Sequence, residues 1–399
     1  MVVDLHAAPG NPGIDEIATV HAIDALDPEA VAALATTIEA DLVIVGPEAP
    51  LVAGVADAVR EVGIACFGPS RQAAMLEGSK AFAKEVMQAA GVPTGASRIC
   101  VNGSQLAAAL DPFGTPYVVK DDALAAGKGV VVTSDRGEAL AHGDNVLNAG
   151  GRVVVEEYLD GPEVSLFCLS DGETVVPLEP AQDFKRVGDG DAGLNTGGMG
   201  AYSPLPWAPR TLSGEIVRVV AQPTITEMKR RGIPFQGVLY VGLALTSHGI
   251  RVIEFNARFG DPEVQSVLAR LETPLSEVLL AAVEGRLAAL PKLRWRTDAA
   301  VTVVIAAHGY PGKVRTGDPI TGIPDAEREA GVHVLHAGTA RNRDGVLVSA
   351  GGRVLSVVGT GHDLAAARER AYVGVARIHL EGSHHRSDIA LAAANMEVE

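Results

Sequence analysis

The chain has 399 residues, 47% of them hydrophobic, which is enough to bury cores across two to four domains without disulfide staples. Its 33 basic and 49 acidic residues leave a formal charge of −16, a field that repels phosphodiester backbones and anionic membrane surfaces and argues against nucleic acid or membrane as partners. Cys66, Cys100 and Cys168 match neither a disulfide framework nor a zinc spacing, no apolar run is long enough to span a membrane, and the first residues carry no basic, hydrophobic leader, so a cytoplasmic protein with buried thiols is expected.

In chain order, Asp41–Gly46 is an apolar run of strand length, Leu51–Val62 has a helical pattern and Ile64–Phe67 is a second strand. This βαβ unit puts the loop Gly46-Pro47-Glu48 at the carboxyl end of a strand, where ligands of open sheets gather, although an ordinary turn fits the spacing equally well. Ser79 is placed to cap a helix running to Ala90, with Gly91 and Pro93 as stop signals. Tyr117–Lys120, Val130–Thr133 and Val153–Glu156 are β-branched runs separated by a glycine loop and a helical stretch, which predicts a small α+β subdomain.

Six glycines fall between Gly188 and Gly200, the mark of a loop that is either mobile or shaped around a ligand, and a helical segment starts near Ser213. Leu239–Leu245 and Arg251–Phe255 read as a hairpin turning at Ser247-His248-Gly249, followed by a helix over Pro262–Leu271. After Arg294-Trp295-Arg296, strands near Ala300–Ala306, Val332–Gly338, Val346–Ser349 and Arg353–Val358 precede one helix, Leu364–Ile378, which predicts a separate β-rich C-terminal domain.

The sharpest chemical feature is Val252-Ile253-Glu254-Phe255-Asn256, because strand alternation sends Glu254 and Asn256 to one face. A carboxylate and an amide oxygen at that spacing are hard ligands suited to Mg²⁺, and Arg258 with Gly260-Asp261-Pro262-Glu263 weakens the alternative of a solvated polar stripe. Lys120 ends a strand where a cation reaches a phosphate, and the exposed amides of Gly127 and Gly129 with Lys128 can cradle polyphosphate. The spacing is not that of a Walker A loop, and taken alone it fits a bare turn as well. Glu156 and Glu163 flank a linker carrying Glu157 and Leu159, of the kind whose backbone reads adenine and whose carboxylate accepts a ribose diol. A Glu-Glu pair at a strand end is usually only solvated charge, so its weight comes from order: lysine strand, glycine loop, acidic linker, then Glu254 and Asn256.

With these features stand Ala8-Pro-Gly-Asn11, Gly46-Pro-Glu-Ala-Pro-Leu51, Glu77-Gly-Ser-Lys80, Gln182-Asp-Phe-Lys-Arg-Val-Gly188, Asn195-Thr-Gly-Gly-Met-Gly-Ala-Tyr-Ser-Pro204 and Gly309-Tyr-Pro-Gly312. Together they make nearly the whole chain resemble the phosphoribosylamine-glycine ligase family (glycinamide ribonucleotide synthetases) of the ATP-grasp superfamily, the Asn195–Pro204 segment being the most diagnostic. The resemblance implies an α/β and α+β multidomain fold. It comprises a Rossmann-like parallel α/β N-terminal domain over 1–76, an ATP-grasp core over 77–296 with a lid subdomain near 97–160, and a β-rich domain over 297–399.

The resemblance also implies roles. Lys80 and Lys120 would contact phosphates with Gly127, Lys128 and Gly129; Glu156, Glu157, Leu159 and Glu163 would hold the nucleoside of ATP; Glu254 and Asn256 would hold Mg²⁺, with Mn²⁺ as a substitute. Arg258, Lys120 and Asp261 would act at the reacting carboxylate. Glu48, Asp183, Lys185, Thr196, Gly197, Gly198, Met199, Gly200 and Arg258 would form the glycine or phosphoribosylamine site. The implied reaction activates glycine as glycyl phosphate before attack by the amine of 5-phosphoribosylamine, in a monomer or weak homo-oligomer.

Against the family pattern the expectation is that a first βα unit before Ala8 is missing, through a misassigned start or a genuinely altered form; smaller departures are Asp121-Asp122-Ala123 after Lys120, Phe184 in place of a common His and Leu194 in place of a common Pro. No carboxylate lies on Leu239–Leu245, so substrate and water oxygens would complete a metal shell. Two competing expectations follow: another ATP-grasp carboxylate-amine ligase, or a nucleotide-binding relative whose shortened start leaves it without turnover.

Overall fold

In the computed structural model, which describes residues 2–124 and 129–396, the N-terminal region forms two separate parallel pairs, His6–Ala7 with Thr19–Val20 and Leu42–Ile44 with Ala65–Phe67. The helical stretch expected over Leu51–Val62 is two helices, Glu48–Ala53 and Val55–Glu61. Gly54 breaks it with φ of 98°, a left-handed conformation that ends the first helix.

The helix Lys80–Ala90 begins and ends where its caps predict. The Ser79 hydroxyl accepts the Phe82 N–H, and Gly91 closes it at φ 67°. The Asp122 carboxylate binds the same N-terminus, accepting the Ala81 N–H at 2.7 Å and the Ser79 hydroxyl at 3.1 Å. That contact ties the helix to a four-stranded antiparallel sheet of order Ser97–Cys100, Val153–Glu156, Tyr117–Asp121, Val130–Thr133.

A second antiparallel sheet has the order Val175–Pro177, Glu163–Asp171, Gln236–Thr246, Gly249–Asn256. Alternation gives it two apolar faces. Val164, Leu166, Leu239, Val241, Ile250 and Val252 join the core that holds Val86, Met87, Ile225 and Met228 of two helices; Phe167, Leu169, Val238 and Tyr240 pack with Val278, Leu279 and Ala282 of the helix Leu275–Val283. The hairpin between Gln236–Thr246 and Gly249–Asn256 carries one irregularity. Its register passes from Leu243 opposite Val252 to Gly242 opposite Glu254, so Ile253 is an extra residue. The bulge resets the alternation. Without it Glu254 would follow Val252 into the first core; with it Phe255 goes there, and Glu254 and Asn256 turn to the other face.

Within the glycine-rich segment 188–200, Ala192–Asn195 forms an antiparallel ribbon with Arg186–Gly188. The C-terminal strands are not self-contained: their five-stranded sheet has the order Gln182–Asp183, Gly200–Ser203, Ala299–Ala306, Arg353–Gly361, Val332–His336. Two of its strands therefore come from the segment before Trp295. The helix expected over Pro262–Leu271 is shorter, Glu263–Leu268, because the chain leaves it to pair Leu271 with Trp295. Among the described residues no helix is long and apolar enough to cross a membrane.

Candidate active site

The two sheets meet along the bulged strand, and buried cations fasten the joint. Lys120 and Glu156, on neighbouring strands of the first sheet, are both 4% exposed, with Lys120 Nζ 2.9 Å from Glu156 Oε2. Lys84 approaches the same oxygen at 3.5 Å and donates to Thr94 Oγ1 and the Gly95 carbonyl at 2.8 and 3.1 Å. The Thr94 hydroxyl donates to the Val252 carbonyl at 2.6 Å and Lys120 to that of Ile253 at 3.4 Å, so carbonyls on both sides of the bulge are held. Burial depresses the Lys84 ammonium below the usual lysine range, against the pull of Glu156.

Glu254 is the focus of positive charge in this region. Burial would raise its carboxyl, but Lys185, Lys120, Lys80 and Arg258 together outweigh that and hold it below the usual range, which keeps it ionised. It stands in a row with Gly242 and Ser165, and Asn256 stands in the next row with Tyr240 and Phe167. Lys80, on the capped helix, donates to the Ala123 carbonyl at 3.0 Å; burial lowers its pKa while Glu254 resists.

Arg258, just beyond the bulged strand, is aligned by two carboxylates from elsewhere in the chain. Its Nε lies 3.1 Å from Glu48 and its Nη2 3.0 Å from Glu77, and Glu77 also accepts the Ala257 N–H at 2.7 Å. Burial pushes the Glu77 carboxyl up to about 7 despite Arg258. The loop Gly46-Pro47-Glu48 therefore does approach the strand end, through the Glu48 side chain.

Glu163 and Lys185 form an ion pair of 3.0 Å, so Glu163 faces the lysine. Burial lowers the Lys185 ammonium, but Glu163, Asp183, Tyr240 and Glu254 reverse this and carry it well above the usual range. Asp183 is pushed up to about 7 by burial, with Lys185 opposing and Glu263 reinforcing. Tyr240 donates to Glu263 Oε1 at 2.8 Å and pairs with Ser165 Oγ at 2.7 Å, while Glu263 Oε2 is buried with no partner among the described residues.

Residues 196–200 are strapped to this cluster. Thr196 donates its N–H and its hydroxyl to the Lys185 carbonyl at 2.7 and 2.9 Å, and the Met199 N–H reaches the Phe184 carbonyl at 2.8 Å. Gly198, at φ 111°, admits no side chain, since a Cβ would lie 2.4 Å from Pro262 Cδ. Gly200 is closed in by the Thr302 carbonyl and Ile389.

The linker lies elsewhere on the joint. Glu157 accepts the Ala96 N–H at 3.1 Å, and with Leu159, Thr94 and Arg251 it lines a cavity of about 260 Å³. Glu156 points away from that cavity, toward the two lysines. Gly127 and Lys128 lie outside the described residues; the Gly129 carbonyl accepts the Asp121 N–H at 2.7 Å.

Among the described residues no group of three or more His, Cys, Asp or Glu is placed to hold a metal alone. An ionised Glu254 beside Asn256 on one face nonetheless fits Mg²⁺, which takes one or two protein oxygens and completes its shell with phosphate and water. Sequence reasoning overlooked Lys84, Glu77, Tyr240 and Glu263. Lys84 had one available signal, its position four residues after Lys80 and thus on the same helix face. Glu77 and Glu263 fall within the segments Glu77-Gly-Ser-Lys80 and Gly260-Asp261-Pro262-Glu263 but nothing local marks their roles, and Tyr240 reads as an ordinary strand aromatic.

Three family models, described as the N, ATP-grasp (A) and C domains of phosphoribosylglycinamide synthetase, match residues 1–77, 78–264 and 300–392. The chain is 65% identical over 395 residues to a phosphoribosylamine–glycine ligase of Streptomyces coelicolor, covering 98% of this chain and 94% of the relative. It is 58% identical to one of Mycobacterium tuberculosis, covering 100% and 94%. The crystal structure of phosphoribosylamine–glycine ligase from Thermotoga maritima superposes with a TM-score of 0.83 at 30% identity, over 97% of this chain and 94% of that one. N5-carboxyaminoimidazole ribonucleotide synthetase from the same organism shares the fold, with a TM-score of 0.65 at 16% identity over 94% and 91%.

Proposed function

Because the chain belongs to the phosphoribosylglycinamide synthetase family, we propose that it ligates glycine to 5-phosphoribosylamine, cleaving ATP to ADP and phosphate, in purine biosynthesis. One observation carries this reading at the level of residues: a bulge turns Glu254 out of the core, Lys120 reaches the carbonyl of the neighbouring Ile253, and the charges of Lys185, Lys120, Lys80 and Arg258 hold the Glu254 carboxyl below its usual range.

The carboxylate of glycine resists nucleophiles because of its charge and resonance, so transfer of the γ-phosphoryl group must precede amide formation. Lys80 and Lys120 take the phosphates of ATP, Lys120 leaving or sharing its pair with Glu156 while Lys84 retains it. Glu254 and Asn256 would hold Mg²⁺, which when bound would supply neutralisation of the charge spread over the phosphoryl oxygens. Arg258, fixed in orientation by Glu48 and Glu77, presents its guanidinium to the glycine carboxylate, with Asp261 close by in sequence. The amine of phosphoribosylamine then attacks the acyl carbon, and phosphate leaves. Asp183, Lys185 and the strapped residues 196–200 form the wall that keeps water from the acyl phosphate.

Glu157 and Leu159 read the nucleoside from the linker, with Glu156 behind them and Glu163 moving from Lys185 toward the ribose. The three buried free thiols support a reducing, cytoplasmic setting, and the matched family segments support domain limits close to 77 and 297.

The test is ADP release with glycine, phosphoribosylamine and MgATP. Turnover dependent on glycine, with glycinamide ribonucleotide formed in step with ADP, is the expected result. Release that ignores glycine but responds to another carboxylic acid would overturn the substrate assignment.

A further inference from the structure

The described mechanism leaves out a seam through which the C-terminal sheet reaches the site. Arg353, at the start of the strand Arg353–Gly361, directs Nη1 at three backbone carbonyls at once: Gly197 at 2.8 Å, Gly198 at 3.4 Å and Asp261 at 2.6 Å. The same nitrogen stands 3.2 Å from the Asp261 carboxylate. Tyr310, in a different loop, accepts the Gly197 N–H on its hydroxyl at 3.0 Å. Its ring lies so close to Gly352 that a Cβ there would come within 2.4 Å, so the residue before Arg353 is held against the same tyrosine. The Arg353 guanidinium also covers Gly197, where a Cβ would sit 3.1 Å from Cζ.

Two segments that are distant in sequence, 197–198 and 261–262, are thus fastened to each other by one guanidinium. A steric contact, Gly198 against Pro262, reinforces the fastening. Asp261 follows Arg258 by three residues, so the clamp also sets where the chain leaves the Arg258 guanidinium. Nη1 carries two N–H donors, matched by the carbonyls of Gly197 and Asp261 at 2.8 and 2.6 Å, and the planar guanidinium holds those two vectors in fixed geometry, whereas an ammonium is a point charge on a flexible stem.

We propose that Arg353, seconded by Tyr310, is a positioning residue of the C-terminal domain that fixes the 197–198 and Asp261 segments as one wall around the activated carboxylate. The proposal rests on the reading of residues 196–200 as part of the substrate site. It takes Arg353 to touch neither ATP nor glycine. Its contribution is to amide formation, by keeping the acyl phosphate in line with the amine and shielded. When the wall loosens, water attacks the acyl carbon in place of the amine, phosphate leaves and glycine is regenerated, so ADP is formed without amide.

The experiment measures ADP and glycinamide ribonucleotide together in wild type, Arg353→Ala, Arg353→Lys and Tyr310→Phe, with MgATP affinity by titration. In Arg353→Ala, kcat/KM for amide formation should fall about 100-fold, the loss associated with displacement of a reacting group by about 1 Å. ADP should exceed amide, and MgATP affinity should stay within about twofold, as the lysine site is untouched. Arg353→Lys should recover part of the coupling, and Tyr310→Phe should show a smaller excess of ADP. One-to-one ADP and amide in all three variants, whatever their stability or rate, overturns the proposal. If Arg353→Ala does not fold, the Lys and Phe variants decide by the same ratio. Absence of glycine-dependent ADP release in wild type would instead sink the underlying functional reading and leave the seam without a reaction to position.

Discussion

Replacing Glu77 by glutamine should make the protein more stable and less active, and the stability gain should depend on pH in a defined direction. Glu77 is 9% exposed, and burial pushes its carboxyl from 4.5 to about 7, with Arg258 and the Ala257 amide restraining the rise. A carboxyl raised in this way binds its proton more tightly folded than unfolded. Between the two values the folded chain therefore holds the extra proton, and stability falls as pH rises. At 1.36 kcal/mol per pH unit the interval amounts to about 3 kcal/mol, absent below about pH 4.5 and fully developed above about pH 7. The attraction of Arg258 is already contained in that value. Glutamine keeps the shape and an oxygen for the Ala257 N–H at 2.7 Å, and it has no charge to desolvate. Urea midpoints of wild type and Glu77→Gln, measured from pH 5 to pH 8, should be nearly equal at the acid end and diverge in favour of the variant toward pH 8. Turnover should drop because Arg258 keeps only Glu48 as an aligning partner. A constant offset between the two proteins across this range, or a variant that loses ground as pH rises, would refute the reasoning.

Three further outcomes are expected. Glu254→Gln should raise the Mg²⁺ concentration needed for half-maximal turnover by about 10- to 100-fold, the order of loss seen when groups supporting a metal are removed. Since the folded carboxyl is held below its usual range, wild type should also lose stability as pH falls through that lowered value, and an acid titration of the variant should lack this component. Lys120→Met leaves the buried Glu156 with Lys84 alone at 3.5 Å; denaturant unfolding should show a loss of about 3 kcal/mol, near the lower end for a broken buried pair, together with weaker MgATP binding in titration. Gly198→Ala must move Pro262 or abandon φ 111°, so amide formation should fall while MgATP affinity, read by thermal shift, is retained.

What the sequence makes legible on its own is whatever local spacing determines. Ser79, Lys80 and Gly91 announce a helix and its caps, and the turn at Ser247-His248 announces a hairpin, because capping and turn chemistry act within a few residues. The shared face of Glu254 and Asn256 was legible for the same reason, but the face itself was not. It depends on Ile253 being left out of the register, which is a relation between two strands. Gly54 ended a helix that periodicity would have continued, since a single αL residue costs the hydrophobic pattern nothing. Lys84 and Glu77 carry partners 72 and 181 residues away in Glu156 and Arg258, and no window on the sequence contains both members of either pair. The membership of the C-terminal sheet is hidden for a like reason: Gly200–Ser203 pairs with Ala299–Ala306 across nearly a hundred residues.

A chain of charge −16 that is to bind a triphosphate must keep its cations concentrated and its carboxylates occupied. The site achieves this by pairing. Lys120 shares Glu156 with Lys84, Lys185 holds Glu163, Arg258 holds Glu48 and Glu77, and Glu254 sits among four positive groups. Each pair lowers the cost of burying its members; Arg258 keeps its two carboxylates as aligning partners, whereas Lys120 can exchange Glu156 for a substrate oxygen because Lys84 still holds that carboxylate. On the proposed assignment, ATP binding replaces the internal carboxylate at the buried Lys120 by phosphate. It differs from condensation of an anion onto an exposed basic surface. Screening acts weakly on pairs shielded from solvent, so affinity for ATP should respond to added salt much less than the number of lysines and arginines at the site would suggest.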